Sequence, residues 1–144
     1  MELATQPTQT PAGVNVQQAI PFFLVSNMER SLCYYVEGLG FEMTRKWTPR
    51  GRIEWCWLQI GSAALMLQEP RKALAEKVGV GVSVCFQCHD ALAIYREVKA
   101  RGIQVAQIPF VGNGLWVASF VDPDGYKIDF ESPTDVPEET VLSE

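Results

Sequence analysis

The sequence predicts an α+β domain of two βαβββ repeats, forming a cupped, partly closed mixed sheet with helices on its outside. Three observations predict it. Short apolar runs punctuated by Gly, Pro and Asn recur along most of the chain. Two helix-period stretches stand far apart, each preceded by one strand-like run and followed by three. The stretches "LCYYVEGLGFEM" and "LAIYREVKARGIQV" both place a tyrosine in a helix, then a glycine stop, then a strand opening on an apolar residue, at a period of about 62 residues. Either half alone leaves one sheet face bare, so the halves are expected to pair.

With 144 residues and 47% hydrophobic content, the chain suits one domain with a true core. Its formal net charge of −5 disfavours nucleic acid, which needs a basic face, and suits a cationic or neutral small molecule. The start, "MELATQPTQTPAGVNVQQ", has neither a basic n-region nor an apolar core, and no apolar run approaches the roughly 18 residues of a membrane span. A cytoplasmic protein without membrane contact is expected, with Cys33, Cys56, Cys85 and Cys88 as buried free thiols in apolar or strand-like contexts.

Residues 1–17, rich in Thr, Gln and Pro, read as a flexible tail; 18–133 as the folded domain, in halves of about 18–70 and 80–133; and 134–144 as an acidic tail that frays. Within the domain, 19–25 reads as a strand. A helix follows, with Ser26 or Asn27 as its N-cap and Gly38 and Gly40 at its end. Residues 41–47, 52–60 and 63–69 are the next strands, and "PRKALAEKVG" reads as a short helical connector. In the second half, 81–88 is a strand. A helix with Asp90 near its start and Gly102 past its end comes next, then strands at 103–108, 115–121 and 126–131. "VDPDGYKIDFESP" combines a turn, in which Pro123 presets φ and Gly125 takes a left-handed position, with a strand placing Asp129 and Glu131 on one face.

"LVSNMERSLCYYVEGLGF" resembles the opening, and "VDPDGYKIDFESP" the closing strand, of the vicinal oxygen chelate superfamily, which includes glyoxalase I, extradiol dioxygenases, fosfomycin-resistance enzymes and bleomycin-binding proteins. "DALAIYREVKARGI" is similar to the helix of that superfamily's second repeat, and the resemblance spans about 19–133. It implies the fold without fixing the activity.

Metal-using members supply four ligands. Carried over position by position, these fall on Ile20, on Met66 or Gln68, on Gly81, and on Asp129. An alkyl chain and a glycine cannot coordinate through a side chain, and the sole histidine, His89, suits a strand-to-helix junction. "CFQCH" offers C-x-x-C and a histidine, but Cys85 and Cys88 fall on opposite sides of a regular strand and lack a second pair. No metal and no other cofactor is therefore expected, and Asp129 and Glu131 read as an electrostatic wall.

By strand parity and the implied fold, the cup is lined by Phe22, Leu24, Trp55, Trp57, Gln59, Met66, Gln68, Ser83, Cys85, Ser119, Lys127, Asp129 and Glu131, with Trp47 and Phe110 near its rims. The ligand-binding candidates are Phe22, Trp47, Trp57, Gln59, Gln68, Ser119, Asp129 and Glu131; no catalytic residue is assigned. Aromatics beside carboxylates suit an aromatic or cationic organic molecule. The expected function is metal-independent capture of such a molecule by a homodimer, as in the bleomycin-resistance-like group. The alternative is a glyoxalase-class lyase, isomerase or dioxygenase, and a third reading is a partner-binding module.

Overall fold

The computed structural model describes residues 13–144, so most of the expected N-terminal tail, residues 1–12, lies outside the described residues. Strand β1 (Phe22–Leu24) leads into helix α1 (Met28–Leu32), which continues as a π-helical turn over Cys33–Gly38. Strands β2 (Glu42–Trp47), β3 (Trp55–Ile60) and β4 (Ala63–Gln68) complete the first half. The second half repeats the order: β5 (Ser83–Gln87), α2 (Ala91–Ala100), β6 (Gln107–Gly112), β7 (Leu115–Val121) and β8 (Lys127–Pro133). The strands form two separate four-stranded mixed sheets, β1-β4-β3-β2 and β5-β8-β7-β6, with one parallel pair in each.

Local chemistry sets the helix starts. Asn27, rather than Ser26, caps α1 through a bond from the Arg30 N–H at 2.9 Å, and Asp90 caps α2 through the Ala93 N–H at 3.0 Å. Gly38 lets the two halves approach closely: a Cβ there would stand 2.5 Å from the Ile103 side chain of the other half, which would have to shift.

One core serves both halves. It takes Phe23, Cys56, Leu58, Leu65 and Leu67 from the first sheet, Phe86, Phe120, Ile128 and Phe130 from the second, and Tyr35, Tyr95 and Val98 from the helical segments. The aspartates of the "DPDG" turn join the halves, beyond shaping a hairpin. Buried Asp122 accepts the Tyr35 hydroxyl at 2.6 Å and the N–H groups of Asp124 and Tyr126 at 2.8 and 2.9 Å. Asp124 accepts the Ser26 N–H, and Tyr126 stacks on Phe23 with centroids 3.9 Å apart. Burial pushes the Tyr35 hydroxyl well above its ordinary range, with the Asp122 charge adding to it, so it remains a donor.

Five expectations are corrected. Of the four cysteines expected to be buried only Cys56 is; Cys33 and Cys85 are exposed and Cys88 is half-buried. Residues 70–79 form turns instead of a helix: Pro70 opens the segment, Lys77 takes a φ of +55°, and Gly79 abuts Tyr126 too closely for any Cβ. The strand expected at 103–108 lies at Gln107–Gly112; Pro109 is tolerated because β6 is an edge strand. The strand expected from residue 52 begins at Trp55, leaving Ile53 outside it. The acidic end does not fray. Val111 donates to the Thr140 carbonyl and Leu142 to that of Pro109, covering the β6 edge, while Glu144 receives the Lys99 ammonium at 3.1 Å.

Candidate functional site: two open sheet faces

Because each sheet sends alternate residues into the shared core, the intervening residues form a second face, open on the first sheet and largely buried at its centre on the second. On the first sheet the register aligns two rows. Phe22, Met66, Trp57 and Arg45 lie side by side across β1, β4, β3 and β2, and Leu24, Gln68, Trp55 and Trp47 form the next row. Phe22 is 51% exposed and Trp47 52%, so no layer of the described chain covers this face. The Arg45 guanidinium sits 4.2 Å above the Trp57 ring, a cation on an aromatic face. The Trp57 indole N–H donates to Gln59 Oε1 at 2.8 Å, and the Gln59 amide donates to the Gly61 carbonyl at 3.0 Å, which fixes both side chains.

The second sheet has the same topology and a different chemistry. Cys85, Asp129, Ser119 and Gln107 form one row across β5, β8, β7 and β6, and Gln87, Glu131 and Val117 the next. Asp129 is only 5% exposed and Ser119 3%. Neither Asp129 Oδ1 nor Ser119 Oγ has a hydrogen-bond partner, which leaves two adjacent buried acceptors unsatisfied. Lys127 Nζ approaches the other Asp129 oxygen at 3.5 Å. Burial, then the charges of Glu131 and Asp129, push the Cys85 thiol above its ordinary value, so it is protonated at neutral pH.

The eight candidates therefore fall into two groups. Phe22, Trp47, Trp57, Gln59 and Gln68 share the first face; Ser119, Asp129 and Glu131 share the second. No described cavity is lined by both groups. Sequence reasoning missed the stacking of Arg45 on Trp57, whose only signal is the β2–β3 register. It also missed a groove of about 620 Å³ between the halves, lined by Phe86, Phe130, Ile94, Leu115 and His89 among others.

The four-ligand metal centre implied by the superfamily does not fit these residues. Ile20 precedes β1 and carries no donor, Gly81 precedes β5 with a φ of +92°, and Met66 and Gln68 offer a thioether and an amide on the aromatic face. Asp129 is the one carboxylate among the four positions.

Comparison with known proteins agrees with the fold and the repeat. The family model "Glyoxalase/Bleomycin resistance protein/Dioxygenase superfamily" matches residues 17–130. The chain belongs to that superfamily. It is 31% identical over 114 residues to the lactoylglutathione lyase of Neisseria meningitidis serogroup A, covering 74% of this chain and 83% of that one. Among solved structures, it resembles a bleomycin resistance determinant encoded on transposon Tn5, at 24% identity and a TM-score of 0.67, over 84% of this chain and 100% of the other. A bleomycin-binding protein in complex with bleomycin matches at 23% identity and a TM-score of 0.65, over 81% of this chain and 98% of that one. No described helix is long and apolar enough to cross a membrane.

Proposed function

We propose that the protein captures a flat, cationic or aromatic organic molecule without a metal ion, and that it does so as a homodimer. The aromatic face of one copy lies over the acidic face of the other. The reading rests on one observation: Trp57 already holds a guanidinium at 4.2 Å on an otherwise uncovered aromatic face. A planar organic cation would replace Arg45 there, gaining aromatic contact area and a cation–π interaction. The facing Asp129 and Glu131 would supply compensating charge, and the unpaired Asp129 Oδ1 and Ser119 Oγ would accept its N–H groups. Because the two groups stand on separate faces of one chain, a second copy is the simplest way to bring them together. Bleomycin binding by a structurally similar protein is in keeping with this chemistry.

Calorimetric titration of chelator-treated protein with bleomycin and a panel of planar aromatic cations tests the reading. Saturable binding that weakens in Trp57→Ala supports it; absence of binding across the panel, or binding indifferent to Trp57, contradicts it.

A second reading, a glyoxalase-class lyase, is favoured by the 31% identity to lactoylglutathione lyase. It requires turnover in a glyoxalase assay, with or without added divalent ion. The lack of a donor side chain at Ile20 and Gly81 weighs against the superfamily's metal-assisted route.

A further inference from the structure

We propose that Arg45 is a built-in occupant of a seat on Trp57, and that it defines the headgroup this seat selects: a planar, delocalised cation of the guanidinium or amidinium class. The headgroup assignment rests on the capture reading above; the seat does not, because it lies within one copy. The Arg45 guanidinium stands 4.2 Å from the centre of the Trp57 ring. Among the described residues it makes no salt bridge, whereas Arg50 and Arg52 of the β2–β3 connection and Arg71 beyond β4 each hold a carboxylate.

The backbone is shaped to put it there. β2 pairs with β3 as Met43 opposite Leu58 and then as Arg45 opposite Trp57, so Thr44 is an extra residue in the ladder. Leu58 is buried in the core, and Trp57 lies on the other side of the strand. In an unbroken ladder Thr44 would oppose Trp57, and Arg45 would oppose buried Cys56. The extra residue turns Arg45 outward onto the indole instead, and the same shift brings Trp47 opposite Trp55. Bulges re-aim side chains in this way and are over-represented beside functional sites.

The resident cation makes Arg45 a specificity-determining residue. It is exposed, so it can leave the ring for water without stranding a buried charge. A monovalent cation that takes its place leaves the total charge between the aromatic face and the acidic face of a second copy unchanged. A neutral aromatic would expel Arg45 and bring no charge in return, leaving Asp129 and Glu131 less well compensated. A compact ammonium offers Trp57 a point charge without a flat surface to stack. A planar delocalised cation offers both. The rival is tethered but weakly held, with an advantage of about two- to fivefold in occupancy, the size of an exposed cation–π contact.

Two titrations of the full-length chain test this, with circular dichroism confirming that each variant is folded. The first uses methylguanidinium, which needs only the one face, and follows the Trp57 indole N–H by NMR, the signal assigned by its absence in Trp57→Phe. In Arg45→Ala the signal should shift saturably. In the wild type, and in Lys46→Ala, which loses the same charge one residue away, the half-point should lie about two- to fivefold higher. The second uses calorimetry with benzamidinium, benzylammonium and benzamide. The wild type should bind benzamidinium most tightly and benzamide least, and Arg45→Ala should bind benzamidinium about two- to fivefold more tightly than the wild type does. An unmoved Trp57 signal in Arg45→Ala, a gain equalled by Lys46→Ala, weaker benzamidinium binding in Arg45→Ala, or equal affinity for benzamidinium and benzylammonium overturns the proposal. If methylguanidinium fills the seat vacated in Arg45→Ala while neither protein binds benzamidinium, the seat stands and capture between paired faces fails, so the two failures are distinguishable.

Discussion

The two sheet faces turned away from the shared core are built by the same strand order and the same alternation, yet they differ in almost every chemical respect. The first exposes Phe22, Trp47, Trp55 and Trp57 and holds its own cation, Arg45. The second is acidic, and its central carboxylate is buried with one oxygen unpaired. Topology fixes which residues face outward. The side chains at those positions decide what the face attracts, and here the attractions are complementary. A protein whose shared core already satisfies both sheets has no structural need for tryptophans outside that core, nor for an orphaned aspartate. Those departures from local economy are where function is to be sought.

The largest effect separates the tie between the halves from the faces. Asp122→Ala should strip the Tyr35 hydroxyl and two turn N–H groups of their acceptor, lowering stability by about 2–4 kcal/mol in urea denaturation. Comparable destabilisation by face substitutions would erase the distinction between tie and face. Next, Trp57→Ala should cut organic-cation affinity by about 10- to 100-fold in calorimetry, while the denaturation midpoint stays close to wild type because the ring lies outside the core. Asp129→Asn should move the two properties in opposite directions. Removing a buried, partly unpaired charge should stabilise the free protein by about 1 kcal/mol, and ligand affinity should fall.

The smallest effect concerns pH. Hydrogen bonds from Arg71, then Arg50, hold the Glu54 carboxyl below its ordinary value of 4.5. The unfolded chain regains that value, so the stabilisation is complete above it and is lost as pH falls through the lower folded value. Glu54→Gln should therefore flatten the acid limb of a stability–pH curve. An unchanged limb would show that the Arg50–Glu54–Arg71 cluster contributes nothing.

Much of this was legible in the sequence, because period-two alternation and turn chemistry are local. Parity alone places Trp55 and Trp57 on one face of their strand, and Asp129 and Glu131 on one face of theirs, although the sequence reading gathered both pairs into a single cup. Through-space facts were not legible. Nothing local says that Trp57 and Asp129 belong to different sheets, or that Asp122 reaches Tyr35 across 87 residues of chain. The Arg45–Trp57 stack needs the β2–β3 register, which includes an irregularity between Met43 and Arg45. The displaced β6 reflects a proline that an edge strand tolerates, and the docked C-terminus reflects an edge that needed covering.

The central claim is that an aromatic face and an acidic face from different copies make one site. Mixing Trp57→Ala protein with Asp129→Asn protein, allowing subunits to exchange, and titrating with a planar aromatic cation tests it directly. In a mixed dimer one site draws Trp57 from the Asp129→Asn chain and Asp129 from the Trp57→Ala chain, so the account predicts that near-wild-type affinity returns at one site per mixed dimer. If exchange is confirmed by native mass spectrometry and binding stays as weak as in either parent, the two faces do not cooperate across copies and the account is wrong.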